Sequence, residues 1–130
     1  PVKQGAGYFT MSYTMRDIDS VNPGMIGIIP RDSVISFVAA STSEMANNGE
    51  YIYIMLGSRS NGSAEKKLLK GRGISLNSNT QDSIYQSVVG ELENTTALQQ
   101  GSILYCDVDY KKGSSPRMKD LVITIALSDV

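Results

Sequence analysis

The chain has 130 residues, and its 12 lysines and arginines against 13 aspartates and glutamates give a formal net charge of −1. This balance argues against nucleic acid or an anionic membrane as the main partner, and no segment approaches the roughly 20 apolar residues of a membrane helix. Histidine is absent, which removes the commonest general base and zinc ligand, and Cys106, the single cysteine, excludes an internal disulfide. We expect one domain over residues 1–130, in which residues 1–7 could form an N-terminal arm. No apolar segment follows Lys3, so no signal peptide is expected.

Strand-like segments recur at short intervals through the first half of the chain. Apolar and polar residues alternate in Tyr8–Met15, and a short apolar run, Met25–Ile29, ends at Pro30. Proline cannot donate a hydrogen bond to a strand ladder, so we expect the chain to leave that strand there. Ser33–Ala40 and Tyr51–Leu56 follow as further predicted strands.

The second half continues the same pattern. Leu68–Leu76 is a predicted strand in which Gly71 and Gly73 indicate a bulge or a bend. Ile84–Val89 is a shorter candidate strand. No helix of ten residues or more is predicted, and strands at this spacing are typical of a sandwich or a barrel.

The last third of the chain carries the clearest pattern. Two runs with period-2 alternation, Ile103–Tyr110 and Leu121–Leu127, flank a turn-rich stretch, which predicts a β-hairpin. Each run places a continuous apolar row on one face. Cys106 falls in the inward row of the first run, so we interpret it as a small buried apolar residue.

One predicted strand is apolar on both of its faces. Tyr51, Tyr53 and Met55 occupy the face that would be polar on a solvent-exposed strand, and Val122 and Ala126 give the last strand a similarly unpolar second face. Aromatic residues and methionine are enriched in protein interfaces, so these five residues are candidates for a subunit interface. The alternative is that a loop or the N-terminal arm of the same chain covers them.

Four positive charges fall within seven residues, at Lys66, Lys67, Lys70 and Arg72. The segment lacks both the spacing of a phosphate-binding loop and the stacking aromatic residues of a single-strand nucleic-acid groove. The patch could contact an acidic partner surface. The other interpretation is a solvated strand edge whose lysines deter edge-to-edge pairing.

Two Asp-x-Asp pairs, at Asp17 and Asp19 and at Asp107 and Asp109, are the remaining candidates for chemistry. Carboxylates two residues apart project to the same side of a strand and could hold a cation, but neither pair has EF-hand spacing. Asp107 and Asp109 also fit a polar strand face, which is the preferred interpretation. We therefore predict no catalytic, cofactor-binding or metal-ligating residues and no enzymatic activity.

The last third also resembles a known group of proteins. The sequence TTALQQG at Thr95–Gly101, LYCDV at Leu104–Val108 and the strand Leu121–Leu127 are similar to the C-terminal half of small immunoglobulin-like β-sandwich modules of tailed-bacteriophage virions. The segment Phe9–Asp19 is similar to their opening strand and acidic turn. The resemblance implies an all-β fold: a single antiparallel immunoglobulin-like β-sandwich of about seven to eight strands.

The same resemblance implies a structural role. We expect a non-enzymatic component of a bacteriophage particle, namely a capsid decoration, tail or baseplate subunit, that self-associates and docks on another virion protein. It would act in the virion, after assembly in the host cytoplasm. The alternative is a module that binds carbohydrate or a host surface, for which the seven tyrosines could supply the contacts.

Overall fold

The computed structural model describes residues 7–18, 24–44, 49–60, 62–77, 86–113 and 116–130. These residues form ten β-strands and no helix, so none of them belongs to a helix that could cross a membrane. The strands, in chain order, are β1 Tyr8–Met15, β2 Gly24–Ile28, β3 Ser33–Thr42, β4 Tyr51–Arg59, β5 Lys66–Lys67, β6 Ile74–Asn77, β7 Gln86–Val89, β8 Ala97–Leu98, β9 Ile103–Lys111 and β10 Leu121–Asp129.

The strands form two antiparallel sheets. The first sheet has the order β1-β10-β3-β7, with β8 also beside β3, and the second has the order β2-β9-β4-β5, with β6 also beside β4. β7 and β8 pair with successive parts of β3, and β5 and β6 with successive parts of β4. Each of these two pairs is therefore one interrupted edge strand, and each sheet has four strand positions.

The predicted all-β antiparallel sandwich is confirmed, and the strand order defines its type. In an immunoglobulin sandwich the first two strands, A and B, share a sheet. Here β1 and β2 lie in different sheets, and β1 pairs with the last strand, β10. The chain changes sheet after β1, β2, β3, β6, β8 and β9, and it stays in one sheet from β4 to β6 and from β7 to β8. The resulting strand order is that of an eight-stranded jelly roll rather than of an immunoglobulin domain.

The core is built from the alternating rows that the sequence pattern identifies. Leu104 and Cys106 of β9 and Ile123 and Ile125 of β10 are fully buried. Burial raises the pKa of the Cys106 thiol to about 11, which fits its predicted place in the core.

The predicted hairpin between these two strands is wrong. β9 pairs with β2 and β4, whereas β10 pairs with β1 and β3, so the two strands belong to different sheets. The connection over residues 112–120 is long enough to cross the sandwich, and the crossing lets both apolar rows face the same core.

The two interrupted edge strands lie on the same side of the sandwich, and the segment between β5 and β6 closes that side. The chain turns between β5 and β6, where Gly71 and Gly73 have positive φ angles of 60° and 85°, so the predicted bend is confirmed. The same segment forms a bridge between Leu69 and Leu92, and the backbone nitrogen of Lys70 donates a hydrogen bond to the carbonyl of Glu91. These contacts join the second sheet to the first. On the opposite side, β1 and β2 are the outermost strands of their sheets.

A buried carboxylate fixes the crossing from β9 to β10. Glu50 is only 1% exposed, and it accepts a 2.5 Å hydrogen bond from the hydroxyl of Tyr110. The backbone nitrogens of Arg117 and Met118 donate to the same carboxylate at 3.0 and 3.1 Å. Burial and the Glu50 carboxylate together raise the pKa of Tyr110, which stays a neutral donor.

We predict that Gly73→Ala destabilises the fold far more than Gly71→Ala. A Cβ atom at residue 73 would overlap the carbonyl oxygen of Ile54 and lie 2.9 Å from its carbonyl carbon, whereas a Cβ at residue 71 meets nothing within 4 Å. Both variants lose about 1–2 kcal/mol because their φ angles are left-handed, and the overlap adds about 1–3 kcal/mol at residue 73 only. Urea unfolding of both variants measures the difference, and equal losses would contradict the prediction.

We also predict that Glu50→Gln lowers the free energy of unfolding by about 1–3 kcal/mol, because an amide cannot accept all of the donors that converge there. The matched control is Glu91→Gln, which removes an exposed carboxylate 3.6 Å from the Lys70 ammonium group and should cost less than about 1 kcal/mol. Thermal or urea unfolding at neutral pH distinguishes the two. A Glu50→Gln variant as stable as the control would rule out a stabilising role for the hydrogen bonds to Glu50.

Candidate interaction surfaces

The five predicted interface residues lie on opposite outer faces of the sandwich. Tyr51, Tyr53 and Met55 project from β4 on the outer face of the second sheet, because the residues between them are buried. Val122 and Ala126 project from β10 on the outer face of the first sheet. The fold therefore does not bring the two sets together on one surface, and an interface that contains all five residues stays a prediction.

Basic side chains lie over both tyrosine rings of the second sheet. The ring centroids of Tyr51 and Tyr53 are 5.0 Å apart, with the planes inclined at 60°. The Lys111 ammonium group is 5.8 Å from the centroid of the Tyr51 ring, and the Arg72 guanidinium is 5.4 Å from that of Tyr53. These are cation–π distances, so charged groups already cover part of the aromatic surface.

The tyrosines form the floor of an open groove of about 730 Å³ on this face. In the strand register, Asp109 lies opposite Tyr53 and Asp107 lies opposite Met55. Both acidic and basic side chains rim the groove. Its lining consists of Tyr51, Tyr53, Met55, Glu65, Lys67, Gly71, Arg72, Asp107 and Asp109. The outer face of the second sheet is therefore polar and charged around a small aromatic centre.

The four cations of the predicted basic patch are divided among three sites. The Lys66 ammonium group donates a 2.8 Å hydrogen bond to a backbone carbonyl of β8, across the closed side of the sandwich. Lys70 pairs with Glu91 on the same side. Lys67 and Arg72 line the groove of the second sheet instead. A contact of all four with one acidic partner stays a prediction.

Of the two Asp-x-Asp pairs, only Asp107 and Asp109 both lie within the described residues. Asp19 lies outside the described residues. Asp107 and Asp109 both face the groove, as expected for a polar strand face. Within the described ranges, no cluster of three or more carboxylate, thiol or imidazole side chains could hold a metal ion.

Tyr105 of β9 lies outside the groove, and its hydroxyl is uncharged. Its ring packs against Gly57 of β4, where a Cβ would come within 2.8 Å of the ring. Burial, reinforced by the nearby Glu65 carboxylate, raises the pKa of Tyr105 to about 12. The phenol is therefore uncharged at neutral pH.

The outer face of the first sheet has a different character, which the sequence patterns did not identify. Asp120 lies at its margin, beside Ser41 and Val122. The outward side chains of its strands are mostly small, and none is charged. They are Tyr8, Thr10, Ser12 and Thr14 of β1, Val122, Thr124, Ala126 and Ser128 of β10, Val34, Phe37, Ala39 and Ser41 of β3, and Ser87 and Val89 of β7. We call this surface the uncharged face.

Phe37 is the largest apolar group near the middle of the uncharged face. The register between β3 and β10 shifts beside Ala126, so that Ser36 and Phe37 are both exposed on β3. Phe37 consequently projects outward and is 41% exposed. The sequence does contain a signal for this face, because β1 and β3 have no charged residue and β10 has none before Asp129 at its end.

Comparison with known proteins gives matches among solved structures only. No protein-family model matches the chain, and no curated protein matches it. Among solved structures, the chain is similar to a chain of the capsid asymmetric unit of cyanophage Pam1, with 10% identity, a TM-score of 0.57, and coverage of 100% of this chain and 90% of that one. A chain of desmodium yellow mottle tymovirus matches with 11% identity and a TM-score of 0.35 over 99% and 85% of the two chains. The cyanophage match establishes a shared fold over the full length of this chain.

Proposed function

We propose that the protein is a non-enzymatic structural component of a bacteriophage particle, most simply a capsid subunit that docks on another virion protein. The observation that carries this proposal is the uncharged face of the first sheet. It spans four strands and includes the exposed side chain of Phe37.

The composition of the uncharged face fits a docking surface. Charged residues are depleted at the core of protein interfaces, because desolvating an unpaired charge is costly. Small side chains such as Ala39, Thr124 and Ala126 leave the sheet flat, so a partner can approach it closely. Phe37 then supplies the kind of central aromatic contact that dominates binding energy.

The fold supports the same function. A chain of a cyanophage capsid shares it over nearly the whole length of both chains, and jelly rolls are common in viral capsids. A role in the capsid is therefore preferred to one in the tail or baseplate. The partners would be other virion proteins rather than nucleic acid or a membrane.

We predict that the chain is present at a fixed, high copy number in particles of the phage that encodes it, and that Phe37→Asp abolishes its incorporation. A buried unpaired carboxylate should weaken docking at least about tenfold. The matched control is Met25→Asp, which changes an exposed apolar residue (64%) of the second sheet. Quantitative mass spectrometry of gradient-purified particles measures both. Absence of the wild-type chain from particles, or normal incorporation of Phe37→Asp, would refute the proposal.

A second function, binding of carbohydrate at a host surface, is favoured by the groove of the second sheet. Tyr51 and Tyr53 offer aromatic surface at its floor, and Asp107 and Asp109 offer acceptors for hydroxyl groups. Such a combination of an apolar platform with a few polar groups suits a small ligand. We rank it second because Lys111 and Arg72 already lie over the two rings.

A glycan array tests this second function directly. If the groove binds sugar, Tyr53→Ala should lose the signal and Tyr8→Ala should keep it, because Tyr8 lies on the other sheet and is 76% exposed. If the chain is a structural subunit only, the wild-type chain and both variants should all bind no glycan.

A further inference from the structure

A cavity of about 480 Å³ opens between the two sheets at one end of the sandwich. The end of β4 and the start of β5 line it from the second sheet, and β8 lines it from the first. Residues of the connections before β3, after β4 and before β9 complete its wall. None of the described residues that line this cavity belongs to the groove of the second sheet, so the two are separate sites.

The deep end of the cavity is built from serine hydroxyls beside an apolar side chain. Ser58 and Ser102 are each only 4% exposed, and so is Leu98, which belongs to the hydrophobic core. The Ser102 hydroxyl shares a 3.1 Å hydrogen bond with that of Ser60. Within the described residues, no group forms a hydrogen bond with the Ser58 hydroxyl. Buried hydroxyls are normally hydrogen-bonded, so this one is available to a molecule in the cavity.

The wall of the cavity is held in place by hydrogen bonds within the protein. The Lys66 ammonium group, which bonds the carbonyl of Ala97 across the two sheets, lies in this wall. On the other side, the carboxylate of Asp32 accepts a 2.8 Å hydrogen bond from the backbone nitrogen of Gln100. Small-molecule sites are mostly preformed and have volumes of roughly 300–1,000 Å³. This cavity meets both conditions.

The charges that line the cavity disfavour a charged ligand. Lys66 and Asp32 are the two charged side chains among the described lining residues, and their charges are opposite. An anion attracted by Lys66 would be repelled by Asp32, and a cation would meet the reverse arrangement. Four lining residues are serines, at positions 58, 60, 63 and 102, and each hydroxyl both donates and accepts hydrogen bonds. The lining therefore matches a neutral molecule that itself carries several hydroxyl groups.

We propose that this cavity binds a neutral polyhydroxylated molecule, either a free polyol or a saccharide unit at the end of a glycan. Ser58 and Ser102 bond its hydroxyls at the deep end, and Leu98 contacts its carbon skeleton. Lys66 donates to further hydroxyls, because its ammonium group has three donors and the Ala97 carbonyl uses one. The inference goes beyond the proposed function, because docking through the uncharged face requires no ligand between the sheets.

The test is a nuclear magnetic resonance titration of the purified, ¹⁵N-labelled full chain. Sorbitol represents a free polyol, and the methyl glycosides of glucose, galactose and N-acetylglucosamine represent the end of a glycan. Inorganic phosphate is the anionic probe. Each is added up to about 100 mM, because small neutral ligands bind weakly. The backbone amide signals of Ser58 and Ser102 report on the cavity, and that of Tyr53 reports on the groove.

The variant Ser58→Ala/Ser102→Ala removes the two buried hydroxyls. The matched control, Ser12→Ala/Ser87→Ala, removes two hydroxyls from the uncharged face. We expect sorbitol or a glycoside to shift the amide signals at the cavity, with a dissociation constant that changes little between low and high salt because the ligand is neutral. The constant should rise at least about tenfold in the cavity variant, because two hydrogen bonds are lost, and stay the same in the control. The dispersion of the amide signals verifies that both variants fold.

Binding of sorbitol supports a free polyol as the ligand, and binding of a glycoside alone supports a glycan. Three results would overturn the inference: no shift at the cavity with any neutral probe, a salt-sensitive shift with phosphate alone, or equal affinity in the two double variants. Shifts confined to the surroundings of Tyr53 would also overturn it, because the ligand would then lie in the groove. The titration uses the purified chain, so its failure leaves incorporation into particles, the test of the proposed function, unaffected.

Discussion

The burial of two facing apolar rows, one from β9 and one from β10, is the interaction on which the rest of the fold depends. Leu104 and Cys106 lie in one row, and Ile123 and Ile125 in the other, all fully buried. Two rows can face each other across a core only if their strands lie in different sheets. This requirement sends the chain across the sandwich after β9, and the buried Glu50 carboxylate holds the crossing segment by its backbone nitrogens. Because β10 then inserts between β1 and β3, the last strand connects the start of the chain to the middle of the first sheet.

The sequence predicts the strands and their buried faces well, and the partners of the strands poorly. The period-2 alternation of Leu121–Leu127 identifies which side chains are inside, because successive side chains of a strand point to opposite faces. It contains no information about which strand lies alongside. The predicted hairpin is wrong for that reason, and the jelly-roll order could not be distinguished from an immunoglobulin order by spacing alone. Gly71 and Gly73 were informative because glycines inside a predicted strand indicate a bulge or a bend, and the chain turns at both.

The candidate surfaces, like the strands, could be predicted from the sequence only in part. The apolar second face of β4 is visible in the sequence, but its setting is not, because Asp107, Asp109 and Arg72 come to it from other segments. The uncharged face is the converse case. No single strand of it is conspicuous, and its character emerges only when β1, β10, β3 and β7 are placed side by side. A run such as Ser33–Thr42 without charge is unremarkable alone, and becomes informative when its neighbours also lack charge.

The strand edges on the two sides of the sandwich differ in their charged residues and in their contacts with the other sheet. On the closed side, Lys66 and Lys70 bind groups of the other sheet, and the bridge between Leu69 and Leu92 joins the two edges. On the open side, β1 is long, regular and uncharged. Charged side chains and contacts between the sheets therefore protect the edges of the closed side, whereas the sequence of β1 itself supplies no charge that would protect the open side.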